Sequence, residues 1–358
     1  MKKWILTLLF LSFFIIVGFI NSDTLLGEKL TEKNLNILDT AKIIQDESEL
    51  GQLNYKELAE REFHWNYGGN NWSFKMEIPV GVYEYYSKLE RFQPDNYQAF
   101  SIYVTEAGQE EYIKALADNL LEASKKEGYD LKRTVELVLA FVQSIEYATD
   151  MDSKGTIQHA RYPIETLMDQ KGDCEDKSTL SAALLKEMGI GVVLVVLPGE
   201  PGHMAIGVKG EGLPGTYYEF QGDRYYYTET TDIGWGIGEI PKDYKGREAV
   251  IVDLIPRPVL VHESVSKISN SGRVEVEVTV KNIGTATANS AEVYVCLDAG
   301  EEKVFDQKTS KSLSLSPKSK GVYNINLKAP LYQDTRIMVK VICDGYMVEE
   351  SATEWFKI

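Results

Sequence analysis

Cysteine and histidine are scarce in these 358 residues, with three of the first and four of the second. Three cysteines do not make a disulfide-built scaffold, and no Cys or His pair has the spacing of a zinc site. Positive charge is also short. Lys and Arg total 38 against 54 Asp and Glu, and the net charge of −16 argues against a nucleic-acid partner. No glycine-rich phosphate cradle follows any strand-like run. Asp150-Met151-Asp152-Ser153-Lys154-Gly155 begins like a calcium loop, but Lys154 replaces an oxygen ligand and Arg161 stands where the closing Glu should be. The residues therefore call for no metal and no cofactor.

The chain does have a long apolar run. Lys2-Lys3 precede Trp4 to Ile20, interrupted only by Thr7, Ser12 and Gly18. This exceeds the ~7–15 residues of a signal-peptide core and lies near the ~17-residue lower bound for a spanning helix. Phe19-Ile20-Asn21-Ser22-Asp23 lacks a clean small-x-small cleavage pair. A retained transmembrane helix is expected, with the N-terminus inside and the bulk of the chain outside the membrane. The acidic excess fits an ectodomain there.

The most informative residues are Lys171-Gly172-Asp173-Cys174-Glu175-Asp176. Beyond them Leu180, Ala183, Leu184 and Met188 recur at helical spacing, and Gly189 is a C-terminal stop. Asp173 reads as N-cap, with Asp176 completing a capping-box pattern. Cys174 is then the first helical residue, where the helix end and a nearby imidazolium would favour thiolate. The adjacent carboxylates oppose this, so a histidine partner is needed. Of His64, His159, His203 and His262, the best placed is His203, which opens the alternating run His203–Val208 after the strand-like Val192–Leu197. Arg224–Thr231 follows and carries Glu229 at its end. Cys, His and acid on helix, strand and strand have the logic of nucleophile, base and orienting acid.

At these residues the sequence resembles the transglutaminase-like superfamily, which includes papain-related peptidases, amidases and cross-linking enzymes. The family pattern of Gly-Asp-Cys, then a His entering a strand, then Asp-x-Thr is held here by Gly172-Asp173-Cys174, His203 and Glu229-Thr230-Thr231. Glu replaces the commoner Asp, and Asp232 is close enough to compete for the third place. The resemblance covers roughly residues 110 to 255. The lead-in Tyr162-Pro163-Ile164-Glu165-Thr166-Leu167 is also similar to that of a membrane-anchored, archaeal-type subgroup. The resemblance implies catalysis by Cys174, His203 and Glu229 through a thioester, on a protein or peptide substrate. Peptidase or amidase action is favoured, with transglutaminase cross-linking or a non-catalytic surface-binding role as alternatives. The Cys174 backbone N–H is an expected oxyanion donor. Gln143, at the end of the helix pattern Leu131–Val142, is either a second donor or an exposed polar residue. His159 is a candidate cleft residue.

The expected fold class is α+β. A papain/transglutaminase-like core, its nucleophile helix packed on an antiparallel sheet, precedes an all-β immunoglobulin-like sandwich. The divisions are an anchor over 1–21, a stalk over 22–62, the catalytic domain with an N-terminal strand extension over 63–255, and the sandwich over 256–358. The boundary is the Pro-bounded Ile255-Pro256-Arg257-Pro258. The stretch Val280-Lys281-Asn282-Ile283-Gly284-Thr285-Ala286 resembles adhesion-related surface modules, which implies a surface partner for the sandwich. Cys296 and Cys343 both fall in it and could pair, although alternation sets them on opposite sides of their strands.

Overall fold

The computed structural model describes residues 3–6, 39–45, 53–92, 95–155 and 159–358. Residues 7–20 of the apolar run lie outside the described residues, and Lys3–Leu6 is a strand parallel to Asn70–Pro79. Among the described residues no helix is long and apolar enough to cross a membrane.

The first unit is α+β. Leu58–Tyr67 and Asn70–Pro79 form a hairpin that turns at Gly68-Gly69, both at positive φ. Alternation drives its inner face inwards, with Trp65 stacked on Trp72 at 6.3 Å and Phe141 meeting Trp65 edge-on. Helices follow, of which Glu110–Lys126, Leu131–Gln143 and Cys174–Glu187 are the longest. An antiparallel sheet comes last, in the order Val250–Val252, Val192–Leu197, His203–Lys209, Asp223–Thr228, Tyr217–Phe220. The Cys174 helix packs on this sheet and on the other long helices. It is buried on nearly every side, with Lys177, Ser178, Leu180, Ser181 and Leu184 at most 0 % exposed. A helix so enclosed must find partners for its polar groups inside the protein, and those partners define the site.

The second unit is a pair of antiparallel sheets around a separate Val- and Ile-rich core. One sheet runs Leu260–Ile268, Arg273–Asn282, Ser319–Lys328, Thr40–Gln45. The other runs Lys303–Thr309, Ala288–Gly300, Asp334–Cys343, Tyr346–Ala352. Thr40–Gln45 falls within the segment read as a stalk, yet it is a strand of the first sheet, antiparallel to Ser319–Lys328. Its hydrogen-bonding edge supplies what the sparse apolar pattern did not announce, and Asp39 fixes it by bonds to Lys308 (2.8 Å) and the Asn326 N–H (2.8 Å).

Cys296 and Cys343 are free. They lie on neighbouring strands, but Cys296 faces Met338 and Cys343 faces Ala291. That offset of five positions, at about 3.3 Å per residue, exceeds the ~7 Å reach of a disulfide. Tyr85, Tyr86, Tyr226 and Tyr227 are buried.

Candidate active site

The start of the Cys174 helix is held by a two-way capping box between Asp173 and Asp176. Gly172 is needed just before it, because a β-carbon there would lie 2.6 Å from Asp176 Cβ. Gly172→Ala is therefore expected to destabilise the protein by about 1–3 kcal/mol, read as a lower urea midpoint with an unchanged slope.

Polar residues on the next turn tie the helix to the sheet. Ser178 Oγ donates to the Met204 carbonyl (3.0 Å) and shares a hydrogen bond with Thr230 Oγ1 (2.9 Å). Lys177 Nζ donates to the carbonyls of Gln143 (3.3 Å), Ile145 (2.8 Å) and Thr231 (2.7 Å). Burial lowers its pKa to about 8, against the pull of Asp232 and Glu229. Two consecutive side chains thus fix the helix against the strand that begins at His203 and the loop that carries Glu229.

His203 is 8 % exposed and stacks on Tyr244 with ring centroids 4.3 Å apart. Its Nε2 lies 2.9 Å from Glu229 Oε2. Glu229 also accepts from the Tyr227 hydroxyl (2.7 Å), the Thr230 and Thr231 N–H groups (3.0 Å each) and the Thr231 hydroxyl (2.8 Å). Burial pushes this carboxyl up, but the bonds from His203, Tyr227 and Thr231 more than reverse that and hold it at about 2. An ionised Glu229 keeps the proton on Nε2 and leaves Nδ1 as the free ring nitrogen. A depressed carboxyl pKa adds stability that is complete above the ordinary value of 4.5 and is lost as pH falls towards about 2. On acidification through that window, wild type should lose more stability than Glu229→Gln, so that their urea midpoints converge.

Cys174 and His203 line the same cleft, of about 450 Å³, with Tyr97, Phe100, Glu175 and Met204. The thiol donates to Glu175 Oε2 at 3.0 Å. Burial and the Glu175 and Asp173 carboxylates push its pKa well up, opposed by a hydrogen bond from the Met204 backbone. That backbone bond places the sulfur beside the residue that follows His203.

Residues 111–225 match the family model described as a transglutaminase-like domain. This stretch is a transglutaminase-like domain. No curated protein matches the chain. Among solved structures, similarity is found to a CARDB domain from Pyrococcus furiosus, determined with di-metal ions, at 28% identity over 24% of this chain and 69% of that one, with a TM-score of 0.20. Red sea bream transglutaminase is similar at 10% identity over 86% of this chain and 63% of that one, with a TM-score of 0.24. A further TGase is similar at 15% identity over 59% of this chain and 57% of that one, with a TM-score of 0.25. The chain thus spans less than two thirds of the length of either transglutaminase.

Three other residues singled out in the sequence fall around the site in ways that differ from expectation. Gln143, at the end of a helix of the transglutaminase-like domain, is 5 % exposed. Its Nε2 donates to the carbonyls of Glu229 (2.9 Å) and Trp235 (3.1 Å), and its Oε1 accepts from Gly234 N–H (3.2 Å). Both amide protons are spent on the loop that carries Glu229. Gln143 is neither an oxyanion donor nor an exposed residue, and it positions that loop. His159 stands outside the cleft, with Nε2 3.2 Å from Glu165 Oε1 and 3.3 Å from Arg91. Asp232 is exposed, and the acid on His203 is Glu229.

Sequence reasoning missed Tyr227, Tyr244, Lys177, Ser178 and Arg161. Lys177 and Ser178 carried a signal, as polar residues one turn after Cys174 on a helix otherwise rich in small and apolar residues. Arg161 is 0 % exposed and bridges Asp176, Asp150 (3.1 Å) and Asp169 (3.2 Å). Its own backbone N–H donates to Asp176 Oδ1 at 2.6 Å. The feature that spoiled the calcium pattern is the centre of an ion network beneath the Cys174 helix.

Proposed function

We propose that this protein is a thiol enzyme acting on amide bonds, most simply a peptidase or amidase. The observation that carries the reading is the 2.9 Å contact of His203 Nε2, which lines the cleft together with Cys174, with a buried, ionised Glu229 behind it. Cys174 gives its proton to His203 Nδ1, and the sulfur attacks the amide carbonyl. The C–N bond breaks, His203 returns the proton to the departing amine, and a thioester remains. Water activated by the same imidazole hydrolyses it, restoring the thiol and releasing a carboxylic acid. An amine in place of water would give cross-linking. The partner is a protein or peptide substrate, and Glu229 holds the imidazole tautomer throughout.

Since the thiol donates to Glu175, its first movement is a rotation from Glu175 towards His203. Intact-mass measurement after rapid quenching tests the scheme with a panel of peptide amides and activated esters. An acyl adduct on Cys174 that builds and then decays in water supports hydrolysis, and decay accelerated by an added amine supports transfer. Absence of any adduct across the panel defeats the reading.

The apolar composition of Trp4–Ile20 supports a further part of the proposal, that the enzyme is held at a cell membrane with its N-terminus inside and the bulk of the chain, sandwich included, outside, in a state in which Lys3–Leu6 has left its pairing with Asn70–Pro79. Alkaline carbonate extraction and protease accessibility of intact cells test it, and release of the full-length chain by carbonate would refute it.

A further inference from the structure

The sandwich carries a second cluster of hydroxyl, imidazole and acid, remote in sequence from Cys174. His262 lies on Leu260–Ile268, an edge strand of one sheet, and Glu349 and Ser351 lie on Tyr346–Ala352, an edge strand of the other. His262 stands opposite the buried Val280, and Glu349 and Ser351 stand opposite the buried Val341 and Val339. Directly opposed residues share a face of their sheet, so all three side chains are turned towards the gap between the sheets.

The imidazole is 3 % exposed. Its Nδ1 lies 2.8 Å from Glu349 Oε2 and its Nε2 lies 2.7 Å from Ser351 Oγ. A carboxylate can only accept, so Nδ1 holds the proton of the neutral ring and Nε2 accepts from the Ser351 hydroxyl. Acid on one ring nitrogen and hydroxyl on the other is the arrangement that activates a serine.

Three more features fit a reacting hydroxyl. Ser351 is exposed, so a substrate can reach it. The strand is irregular just before Glu349, between the pairs Ile342–Met347 and Val341–Glu349, and such bulges re-aim side chains. Thr353 N–H donates to the Ile337 carbonyl at 2.9 Å. The Ala352 N–H, one residue earlier on the extended chain, therefore points to the open edge beside Ser351, where it can serve an oxyanion.

We propose that Ser351, His262 and Glu349 form a second catalytic site, a serine esterase centre on the sandwich that takes carboxylic esters with a small acyl group. An open strand edge with one backbone donor suits an ester, whose carbonyl is more electrophilic than that of an amide. Ser351 Oγ bonds to the acyl carbon as its proton passes to His262 Nε2. The ester C–O bond breaks, and His262 returns the proton to the departing alcohol. Water, giving its proton to the same nitrogen, attacks the acyl-serine. The carboxylic acid leaves, and Ser351 regains its proton from His262. Glu349 accepts from Nδ1–H throughout.

Labelling of the full-length protein with an alkyl fluorophosphonate, which loses fluoride to a serine activated in this way, tests the site when followed by peptide mapping. One adduct at Ser351 is expected, absent in Ser351→Ala and formed about 10²-fold or more slowly in His262→Gln. Treatment with 4-nitrophenyl acetate should place an acetyl group on Ser351 that is lost with time in water. Urea midpoints check folding. Should His262→Gln fail to fold, Glu349→Gln, which sets an N–H against Nδ1, takes its place. No adduct at Ser351 with excess probe, or equal labelling rates in wild type and the imidazole or acid variant, overturns the proposal and leaves the three side chains as a tie between the sheets. Mapping separates an adduct on Ser351 from one on Cys174, so this reading and that of the thiol enzyme fail independently.

Discussion

Cys174→Ser is expected to lower kcat/KM on any amide the protein turns over by about 10³-fold or more. A serine hydroxyl keeps the position but is a far weaker nucleophile, and among the described residues no other cysteine lines the cleft. His203→Ala should cost a similar factor, because the proton of the sulfur then has no acceptor at the right place. The double variant should be scarcely worse than either single one, since the two groups act as a unit. Glu229→Gln tests the third member separately. It preserves shape but can present an N–H to the imidazole and so favour the wrong tautomer, with an expected loss of about 10²–10⁴-fold in kcat. Steady-state kinetics on one substrate for all four variants decides the matter. A Cys174→Ser protein with wild-type turnover would leave the cleft as a binding groove only.

The largest effect on stability is expected at Arg161. Its guanidinium is wholly enclosed and bridges Asp150, Asp169 and Asp176. Burial works against the charged form, but Asp176 and its companions overcome that and keep Arg161 ionised. Arg161→Leu would strand Asp150, which is 2 % exposed, and Asp176, which is 0 % exposed, without their cation. Breaking one side of a buried ion network costs about 3–5 kcal/mol, a large part of the ~5–15 kcal/mol that holds a domain folded. Urea denaturation should show this loss. Adding Asp176→Asn to Arg161→Leu should restore part of it, because one stranded charge is removed. A loss below about 1 kcal/mol would mean that water or neutralised carboxyls take over the role of the guanidinium.

The features readable in the sequence were those set by local rules. Asp173 as cap, Cys174 as first helical residue and Gly189 as the stop follow from helix-end chemistry, and all three stand so in the structure. His203 at a strand start follows from alternation after a turn. What was not readable depends on partners distant in the chain. Glu229 and Asp232 are three residues apart, and only the donors Tyr227, Thr230 and Thr231, together with His203, distinguish the buried acid from the exposed one. Gln143 reaches across 86 residues to the Glu229 carbonyl, which no periodicity reports. Arg161 was visible only as a wrong residue in a metal pattern. Thr40–Gln45 is short and, with Ile43 and Ile44 adjacent, lacks clean alternation, and its place comes from backbone hydrogen bonds to Ser319–Lys328.

That strand gives the molecule an unusual thread. The chain contributes Thr40–Gln45 to one sheet of the sandwich, leaves to build the whole transglutaminase-like unit, and returns at Leu260 to complete the same sheet. In sequence, the cleft-bearing residues from Leu58 to Val252 therefore lie between two strands of one sandwich sheet. Cutting the chain near Pro256-Arg257-Pro258 would not release a free C-terminal half, because Thr40–Gln45 would still pair with the sheet after the cut. A gene fragment starting after residue 53 would take away an edge strand that the sandwich needs.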